Sequence, residues 1–330
     1  MENLPVKMRP KTLAEVIGQE AVVSVLSRQI ATGKVKNAYL FCGEYGTGKT
    51  TVARILANML NDGVGEPIEI DAASNNGVDN IRDLIADAQQ SPMEGNYKTY
   101  VIDECQDLSK AAWDCALKLI EEPPAHAVFI FCTTNPLKVP DTIMSRVQRF
   151  DFRRVSNNAI ADRLEYICNE ELDVPFEREA IERIAVVSKG HVRQAIQDLQ
   201  KCVDYTDNLT LETVENILGV VSEEAVAKFV SSILQKNLTD ALTNLNNLIM
   251  SNTDAVEVYD SVCEYAIDSA IYAKIGDIHK TGIISEYKDM LTRDVDVATV
   301  LVDRLMSFRG VVDKTNAEAF LKTVAVEICR

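Results

Sequence analysis

Gly43-Glu44-Tyr45-Gly46-Thr47-Gly48-Lys49-Thr50 is the most informative stretch of the sequence, because it matches G-x-x-x-x-G-K-[ST] at every fixed position. It follows the apolar run Ala38-Tyr39-Leu40-Phe41 and opens a helical pattern over 49–60, which is the context the motif requires. The glycines let backbone N–H groups wrap around phosphates, and the start of the helix adds positive potential. We expect Lys49 to reach the β and γ phosphates of a nucleotide and the Thr50 hydroxyl to bind magnesium. The alternative is a chance glycine-rich turn, against which the flanking strand and helix argue.

Further apolar runs alternate with helical patterns over residues 37–152, which predicts a parallel α/β sheet flanked by helices. The other runs are Ile68-Glu69-Ile70, Thr99-Tyr100-Val101-Ile102, Ala127-Val128-Phe129-Ile130-Phe131 and, closing the sheet, Phe150-Asp151-Phe152. Besides 49–60, the helical patterns cover 77–89 and 109–121, and Pro123-Pro124 stops the last of them. The nearly continuous hydrophobicity of the runs predicts strands covered on both faces.

The strand signal disappears after residue 153. Shorter helical patterns near 156–170, 177–188, 191–203 and 210–218 predict a small helical domain, and longer helices follow from 222 onward. Two apolar stripes in that last region are more typical of a bundle core than of an interface: Val297, Val300, Leu301, Leu305 and Phe308, and Ala317, Phe320, Leu321, Val324 and Ile328. We therefore predict three domains: a nucleotide-binding domain over 1–154, a helical domain over 155–220 and an all-α domain over 221–330.

The formal net charge of −16 over 330 residues argues against a free-standing DNA-binding protein, which usually carries a basic face. DNA binding shared among several subunits remains compatible with this charge. No run of about 18 apolar residues is present, so a membrane span is not expected. The N-terminal residues lack the apolar centre of a secretory signal, which predicts a cytoplasmic protein. The eight cysteines form no Cys-x-x-Cys pair, so we expect neither a zinc site nor disulfides.

A second motif, Tyr100-Val101-Ile102-Asp103-Glu104, is an apolar strand that ends in two carboxylates. Asp103 takes the position of the aspartate that holds the magnesium shell in nucleotide hydrolases, and Glu104 would polarise the attacking water. The alternative is a surface acidic pair capping the next helix, with Asp107 or Ser109 at its N-cap. The upstream phosphate-binding motif favours the first interpretation.

Polar and basic residues after the next strand are more ambiguous. Thr133-Thr134-Asn135 could probe the γ-phosphate, but Asn135-Pro136 also favours a plain turn, and spacing alone does not decide. Arg146 and Arg193 lie near predicted element ends, where a solvated surface arginine is the more common outcome. The three histidines form no cluster, and we expect structural or solvent-facing roles for them.

Several strings resemble the ATPase subunit of the bacterial DNA polymerase III clamp loader (the gamma/tau family) and, more distantly, the small subunits of replication factor C. The resemblance is closest over residues 8–200. The strings that carry it are Met8-Arg9-Pro10-Lys11-Thr12, Glu15-Val16-Ile17-Gly18-Gln19-Glu20, Asn37-Ala38-Tyr39-Leu40-Phe41, Glu69-Ile70-Asp71-Ala72-Ala73-Ser74 and Lys118-Leu119-Ile120-Glu121-Glu122-Pro123-Pro124.

This resemblance implies an AAA+ fold, in which the second domain is a lid and the third a collar that oligomerises the subunits. It assigns Thr134 to sensor 1, Arg146 to the arginine finger and Arg193 to sensor 2, alongside Lys49 and the catalytic Glu104. It implies ATP and Mg²⁺ as ligands, with Thr50 and Asp103 at the metal. The residues expected to bind ATP are Arg9, Ile17, Gly43, Glu44, Tyr45, Gly46, Thr47, Gly48, Lys49, Thr50, Thr51 and Arg193.

The resemblance also implies partners: a sliding clamp, primer–template DNA and other clamp-loader subunits in a homo- or hetero-oligomer, expected to be a pentamer. ATP binding would open and load the clamp, and hydrolysis would release it. Candidate DNA contacts are Asn75, Asn76 and Arg82. The alternatives are another AAA+ DNA-processing ATPase, active in branch migration or recombination, and a catalytically silent stator subunit.

The sequence departs from the family pattern in three places. Only residues 61–67 occupy the interval in which the bacterial subunit carries a four-cysteine zinc module, so we expect no zinc. The family's Ser-Arg-Cys motif reads Ser145-Arg146-Val147. The chain also ends where the collar should end, without the long tail of the longer family form. Together these departures point to a phage-encoded or otherwise divergent version.

Overall fold

The structure is a computed structural model that describes residues 3–64, 66–251, 254–283, 285–291 and 294–330. Its contacts divide the chain into two compact units. The first runs to Asp173 and also includes Val187–Gln200, and the second comprises Val174–Val186 and Lys201–Arg330. The three-domain division at residues 154 and 220 stays a prediction.

The first unit is built on a sheet of five parallel strands, which the alternating pattern predicted. The strands are β1 (Ala38–Cys42), β2 (Ile68–Asp71), β3 (Lys98–Asp103), β4 (Ala127–Thr133) and β5 (Gln148–Asp151), in the order β2-β3-β4-β1-β5. Every residue of β1 and β4 is buried, as expected for strands covered on both faces. That expectation is wrong for β2, whose residues are exposed or half-buried because it is the edge strand. The last strand, β5, begins at Gln148, two residues before the predicted run Phe150-Asp151-Phe152.

The helices in this part of the chain are α1 (Leu4–Lys7), α2 (Glu20–Ala31), α3 (Lys49–Leu60), α4 (Val78–Ala88), α5 (Lys110–Glu121), α6 (Asp141–Met144) and α7 (Asn157–Ile167), with 3₁₀ turns at Leu13–Glu15, Cys105–Asp107 and Pro136–Lys138 and a π-helical turn at Cys168–Leu172. One face of the sheet packs against α2 and α3, and the other packs against α4, α5 and α6. Successive strand residues point to opposite faces. Tyr39 and Phe41 accordingly pack in the core with α2 and α3, whereas Leu40 packs in the core with α4 and α5.

The remaining helices follow the π-helical turn at Cys168–Leu172. They are α8 (Arg178–Val187), α9 (Val192–Tyr205), α10 (Leu211–Leu218), α11 (Glu223–Leu234), α12 (Leu238–Ser251), α13 (Ala255–Ile275), α14 (Val295–Phe308) and α15 (Ala317–Cys329), with 3₁₀ turns at Ile278–Lys280 and Ser285–Met290. The core of the second unit includes Leu301, Leu305 and Leu321, which belong to the two predicted stripes. Val300 of the first stripe is 49% exposed, because one helical step of about 100° turns it away from the core.

All eight cysteines lie in the described ranges, none of them forms a disulfide, and six of them are buried. Burial raises the pKa of the Cys42 thiol to about 11. Within the described ranges, His, Cys, Asp and Glu form no group of three or more placed to hold a metal ion. The absence of zinc stays a prediction. None of the helices described above is long and apolar enough to cross a membrane.

Candidate nucleotide site

A cleft in the first unit, open to solvent, lies at the start of α3. The cleft is lined by Pro5, Met8, Arg9, Pro10, Val16, Ile17, Tyr45, Gly46, Thr47, Gly48, Lys49, Thr50, Thr51, Asp103, Glu104, Val192, Arg193 and Ile196. The apolar side of the lining comes from the N-terminal segment and α9, and the polar side comes from the phosphate-binding motif and the end of β3.

Two glycines fix the course of the motif between β1 and α3. A Cβ atom at Gly43 would lie 2.6 Å from the carbonyl oxygen of Phe152, so no larger residue fits without a shift of the backbone. Gly48 is the N-cap of α3 with φ of 101°, which L-residues rarely adopt. A Cβ atom built there meets no protein atom within 4 Å, so the space beside it is open. Such a cradle of backbone and open space fits a phosphate chain at a helix N-terminus.

Lys49 is 5% exposed, and its ammonium lies inside the loop. Its Nζ donates to the carbonyl oxygens of Gly43 and Glu44, each at 2.9 Å. The Thr47 hydroxyl donates to the Glu44 carbonyl oxygen at 2.8 Å and braces the same turn. The motif therefore holds its positive charge at the base of the cleft.

The hydroxyl of Thr50 meets the carboxylate of Asp103 across the cleft. Thr50 Oγ1 donates to Asp103 Oδ2 at 2.7 Å, and Asp103 Oδ1 accepts from the backbone N–H of Glu104 at 3.0 Å. A hydroxyl and a carboxylate oxygen are hard ligands of the kind that Mg²⁺ prefers. The donor set at this position therefore fits a magnesium ion, and both residues are those the sequence assigned to the metal.

The carboxylate of Glu104 is held by side chains from two elements. Its Oε2 accepts from Gln106 Nε2 at 2.6 Å and from Thr134 Oγ1 at 3.1 Å. Glu104 itself has a left-handed backbone, with φ of 47° and ψ of 43°. This conformation is uncommon for a residue other than glycine and recurs at functional sites. The Glu104 carboxylate therefore lies beside Thr134, the residue that follows β4.

Two residues named in the alternatives take ordinary capping roles. Ser109 is the N-cap of α5 and accepts from the Ala112 N–H, as the alternative allowed. Asn135 does take the turn role, because its side chain accepts from the Leu137 N–H. Thr134 therefore differs from Asn135, since it contacts the glutamate.

Two arginines, Arg9 and Arg193, also line the cleft. The Arg193 guanidinium lies 5.7 Å from the centre of the Tyr45 ring, at a cation–π distance. Burial lowers the pKa of Arg9, and the neighbouring charges of Arg54 and Arg193 lower it further. Arginines that repel each other in this way favour a polyanion between them.

Some predicted residues lie outside the lining. Gly43 and Glu44 take part through their carbonyl oxygens, and the Glu44 carboxylate is paired with Arg154 Nε at 2.7 Å. Thr134 reaches the cleft only through Glu104. Arg146 is absent from the lining and pairs instead with Glu121 of its own chain.

The candidate DNA contacts also lie apart from the cleft. Asn75 and Asn76 precede α4, where Asn75 Nδ2 donates to the Asp71 carbonyl oxygen at 3.2 Å. Arg82, within α4, is exposed and paired with Asp79 at 2.9 Å. Their role stays a prediction.

Two glutamines that contact lining residues of the cleft were not identified from the sequence. Gln19 is 4% exposed; its Nε2 donates to the carbonyl oxygens of Thr47 and Arg153, and its Oε1 accepts from the Arg153 N–H, so it ties the phosphate-binding motif to the segment after β5. Gln106 contacts Glu104 and two residues at the end of β4. Gln19 lies in one of the strings that carried the resemblance, and Gln106 lies two residues after Glu104. Neither spacing predicts an amide contact by itself.

The chain is similar to known subunits of DNA polymerase III. The family described as "DNA polymerase III, delta subunit" matches residues 67–156. The tau subunit of DNA polymerase III from Bacillus subtilis (strain 168) is 33% identical over 353 residues, covering 98% of this chain and 62% of the tau subunit. The gamma subunit from Buchnera aphidicola subsp. Baizongia pistaciae is 31% identical over 321 residues, covering 86% of each chain. The tau subunit from Escherichia coli K12 is 34% identical, covering 70% of this chain and 39% of its own length.

The chain thus spans less than two thirds of the length of these tau subunits. Among solved structures, the Holliday junction branch migration motor RuvB from Thermotoga maritima has a TM-score of 0.55 and 23% identity, covering 69% of this chain and 79% of RuvB. A likeness at this identity shows a shared fold and nothing finer.

Proposed function

Because the chain belongs to the DNA polymerase III gamma/tau family, we propose that it is an ATP-hydrolysing subunit of a sliding-clamp loader in DNA replication. The observation that carries the proposal is the hydrogen bond between Thr50 and Asp103 at 2.7 Å in a cleft that Lys49 and Glu104 also line. Hydrolysis needs a phosphate cradle, a cation site and a base in one place. These four residues supply all three.

In the proposed reaction, the phosphate-binding motif orients the triphosphate, and Lys49 balances the charge on its β and γ phosphates. Glu104 accepts a proton from the water whose oxygen attacks the γ-phosphorus, while the bond to the bridging oxygen of ADP breaks. Thr134 holds Glu104 in register, and Arg193 approaches the phosphates from α9. The products are ADP and inorganic phosphate.

Thr50 and Asp103 are the residues that would hold Mg²⁺. When bound, Mg²⁺ supplies neutralisation of the charge on the β and γ phosphate oxygens. The remaining positioning is done by the chain. Met8, Arg9 and Ile17 lie on the apolar side of the cleft and are proposed to hold the adenine.

The proposed partners are a sliding clamp, primer–template DNA and further loader subunits, in a homo- or hetero-oligomer expected to be a pentamer. ATP binding would assemble the subunits around the DNA and open the clamp, and hydrolysis would release it. Asn75, Asn76 and Arg82 are the proposed DNA contacts. A cytoplasmic location and a phage or divergent origin stay predictions.

Branch migration is the alternative that the RuvB likeness raises. The described residues after Phe152 contain no β-strand, only an isolated bridge between Phe176 and Leu209, which gives no support for an added domain of short strands. The silent stator alternative is opposed by the presence of Lys49, Thr50, Asp103 and Glu104 together in the cleft.

Transfer of a ring-shaped clamp onto primed circular DNA tests the proposal. The chain, assembled with the partner subunits of its own replication system, should leave the clamp on the DNA in an ATP-dependent manner, as followed by gel filtration. ATP-driven movement of four-way junctions without clamp transfer would instead identify a branch migration motor.

A further inference from the structure

The side-chain amide of Gln106 bridges the ends of two neighbouring strands. Its Nε2 donates to Glu104 Oε2 at 2.6 Å, on the β3 side, and also to Thr134 Oγ1 at 3.2 Å. Its Oε1 accepts from Thr133 Oγ1 at 2.7 Å and from the backbone N–H of Thr134 at 3.3 Å, on the β4 side. One amide therefore connects the candidate base to the sensor segment.

The orientation of this amide is determined by its neighbours. The backbone N–H of Thr134 can only donate, so the amide atom facing it must be the oxygen. An ionised Glu104 carboxylate can only accept, so the atom facing it must be the nitrogen. A flipped amide would break both contacts, and the glutamine is therefore held in one state.

The same contacts hold one oxygen of Glu104 and leave the other available. Oε2 is engaged by Gln106 and by Thr134, whereas no hydrogen bond to Oε1 is found among the described residues. Glu104 lines the cleft. An anchored oxygen beside a free one is the arrangement that orients a carboxylate toward a water.

From this geometry we propose that Gln106 is a positioning residue for hydrolysis: it holds Glu104 Oε2 against the end of β4 so that Oε1 faces the attacking water. The inference rests on the proposed ATPase function and adds a residue to it. Gln106 acts through Glu104 and does not itself line the cleft. Its loss should therefore slow turnover without weakening the binding of ATP.

The test replaces Gln106 by leucine and by glutamate and measures kcat, the Kd for an ATP analogue and the melting temperature of the assembled protein. Gln106→Leu removes all four hydrogen bonds of the amide. Gln106→Glu keeps the size and the acceptor for Thr133 but sets a carboxylate against Glu104. Both should lower kcat by roughly ten- to a hundredfold, since small displacements of a reacting group are costly, and should leave the Kd within about a factor of two.

Gln29→Leu is the matched control. Gln29 is likewise half-buried with both ends of its amide engaged, by Gln148 at 2.8 Å and by the Tyr39 hydroxyl at 3.1 Å, but it lies outside the cleft lining. Its replacement should leave kcat unchanged. A general loss of rigidity would instead slow the control and the Gln106 variants alike.

A double variant separates positioning from a structural role. Because Gln106 works through Glu104, Glu104→Gln combined with Gln106→Leu should turn over no more slowly than Glu104→Gln alone. Additive losses, or wild-type kcat in Gln106→Glu, overturn this inference and leave the proposed function standing. An absence of ATP hydrolysis in the wild-type assembly overturns both.

Discussion

Arg146 Nη2 lies 2.8 Å from Glu121 Oε1 of the same chain. Arg146 Nη1 also donates to the carbonyl oxygen of Thr142 at 2.8 Å, so the guanidinium is anchored at the end of α6. Both charged side chains are 40% exposed. An exposed pair of this kind contributes only about 0–1 kcal/mol, and a stronger partner can displace it. The ion pair is compatible with a structural role for Arg146. It is also compatible with an arginine finger that leaves Glu121 when a neighbouring subunit binds.

We predict that Arg146 acts on the ATP of a neighbouring subunit. An arginine supplied across an interface can raise the hydrolysis rate by roughly three to five orders of magnitude. Subunits with Arg146→Ala should therefore hydrolyse ATP when mixed with Lys49→Ala subunits, although each variant alone is nearly inactive. Lack of rescue in confirmed mixed assemblies would count against action in trans.

Glu121→Gln is the control for this prediction. It removes the ion pair and leaves the arginine in place. If Arg146 only steadies its own chain, Glu121→Gln and Arg146→Ala should impair hydrolysis equally. The finger role predicts near-normal turnover for Glu121→Gln.

Lys49→Ala should weaken nucleotide binding. A charge-assisted hydrogen bond contributes roughly 1.5–3 kcal/mol, which corresponds to an increase in Kd of about ten- to a hundredfold. Fluorescence titration with an ATP analogue measures it. Lys110→Ala, at an exposed lysine on α5, is the control and should bind as the wild type does. Equal affinity in Lys49→Ala and wild type would refute the assignment.

We predict that the protein carries no structural zinc. The connection between α3 and β2 is short, and no Cys-x-x-Cys pair occurs anywhere in the sequence. Protein purified without added metal should contain zinc far below one equivalent, and dialysis against a chelator should leave its melting temperature unchanged. Stoichiometric zinc would contradict the prediction.

The stability of the first unit should depend on Asp87 in a way that varies with pH. Hydrogen bonds donated to its carboxylate by Lys98 at 2.7 Å and by the Tyr100 hydroxyl at 2.8 Å lower its pKa below the ordinary value of 3.8. The unfolded chain then binds this proton more readily than the folded one. The stabilisation is therefore present above pH 3.8 and is lost as the pH falls through the lower, folded pKa.

Asp87→Asn should thus lower the melting temperature at pH 7, and the gap to wild type should narrow below about pH 4. Asp83→Asn, at an exposed position on the same helix, should show little change. A gap of constant size down to pH 3 would show that the charge of Asp87 is not the cause.

The sheet and the phosphate-binding motif could be predicted because their signals are local. Apolar runs, a glycine-rich turn and a helix start follow one another along the chain, so Lys49, Thr50 and Asp103 were located before any geometry was known. The edge position of β2 was not predicted, since strand order depends on crossovers that periodicity does not reveal.

The residues of the site that could not be predicted from the sequence make contacts with residues far away along the chain. Gln106 and Thr134 are 28 residues apart, and Gln19 reaches Arg153 across 134 residues. An amide carries no periodic signature, so nothing in the pattern marked these two glutamines. The ion pair of Arg146 with Glu121 has no signature in the sequence, because spacing does not identify which carboxylate an exposed arginine meets.

The most direct test of the ATP-driven loader measures steady-state hydrolysis by the wild-type and Glu104→Gln assemblies, each with and without clamp and primer–template DNA. We predict that wild-type turnover depends on magnesium and rises when both partners are present. Glu104→Gln should bind ATP with normal affinity. It should hydrolyse ATP more slowly by about two orders of magnitude or more, because no carboxylate accepts the proton of the attacking water. Hydrolysis by Glu104→Gln at the wild-type rate, or wild-type turnover indifferent to clamp and primed DNA, would contradict the account.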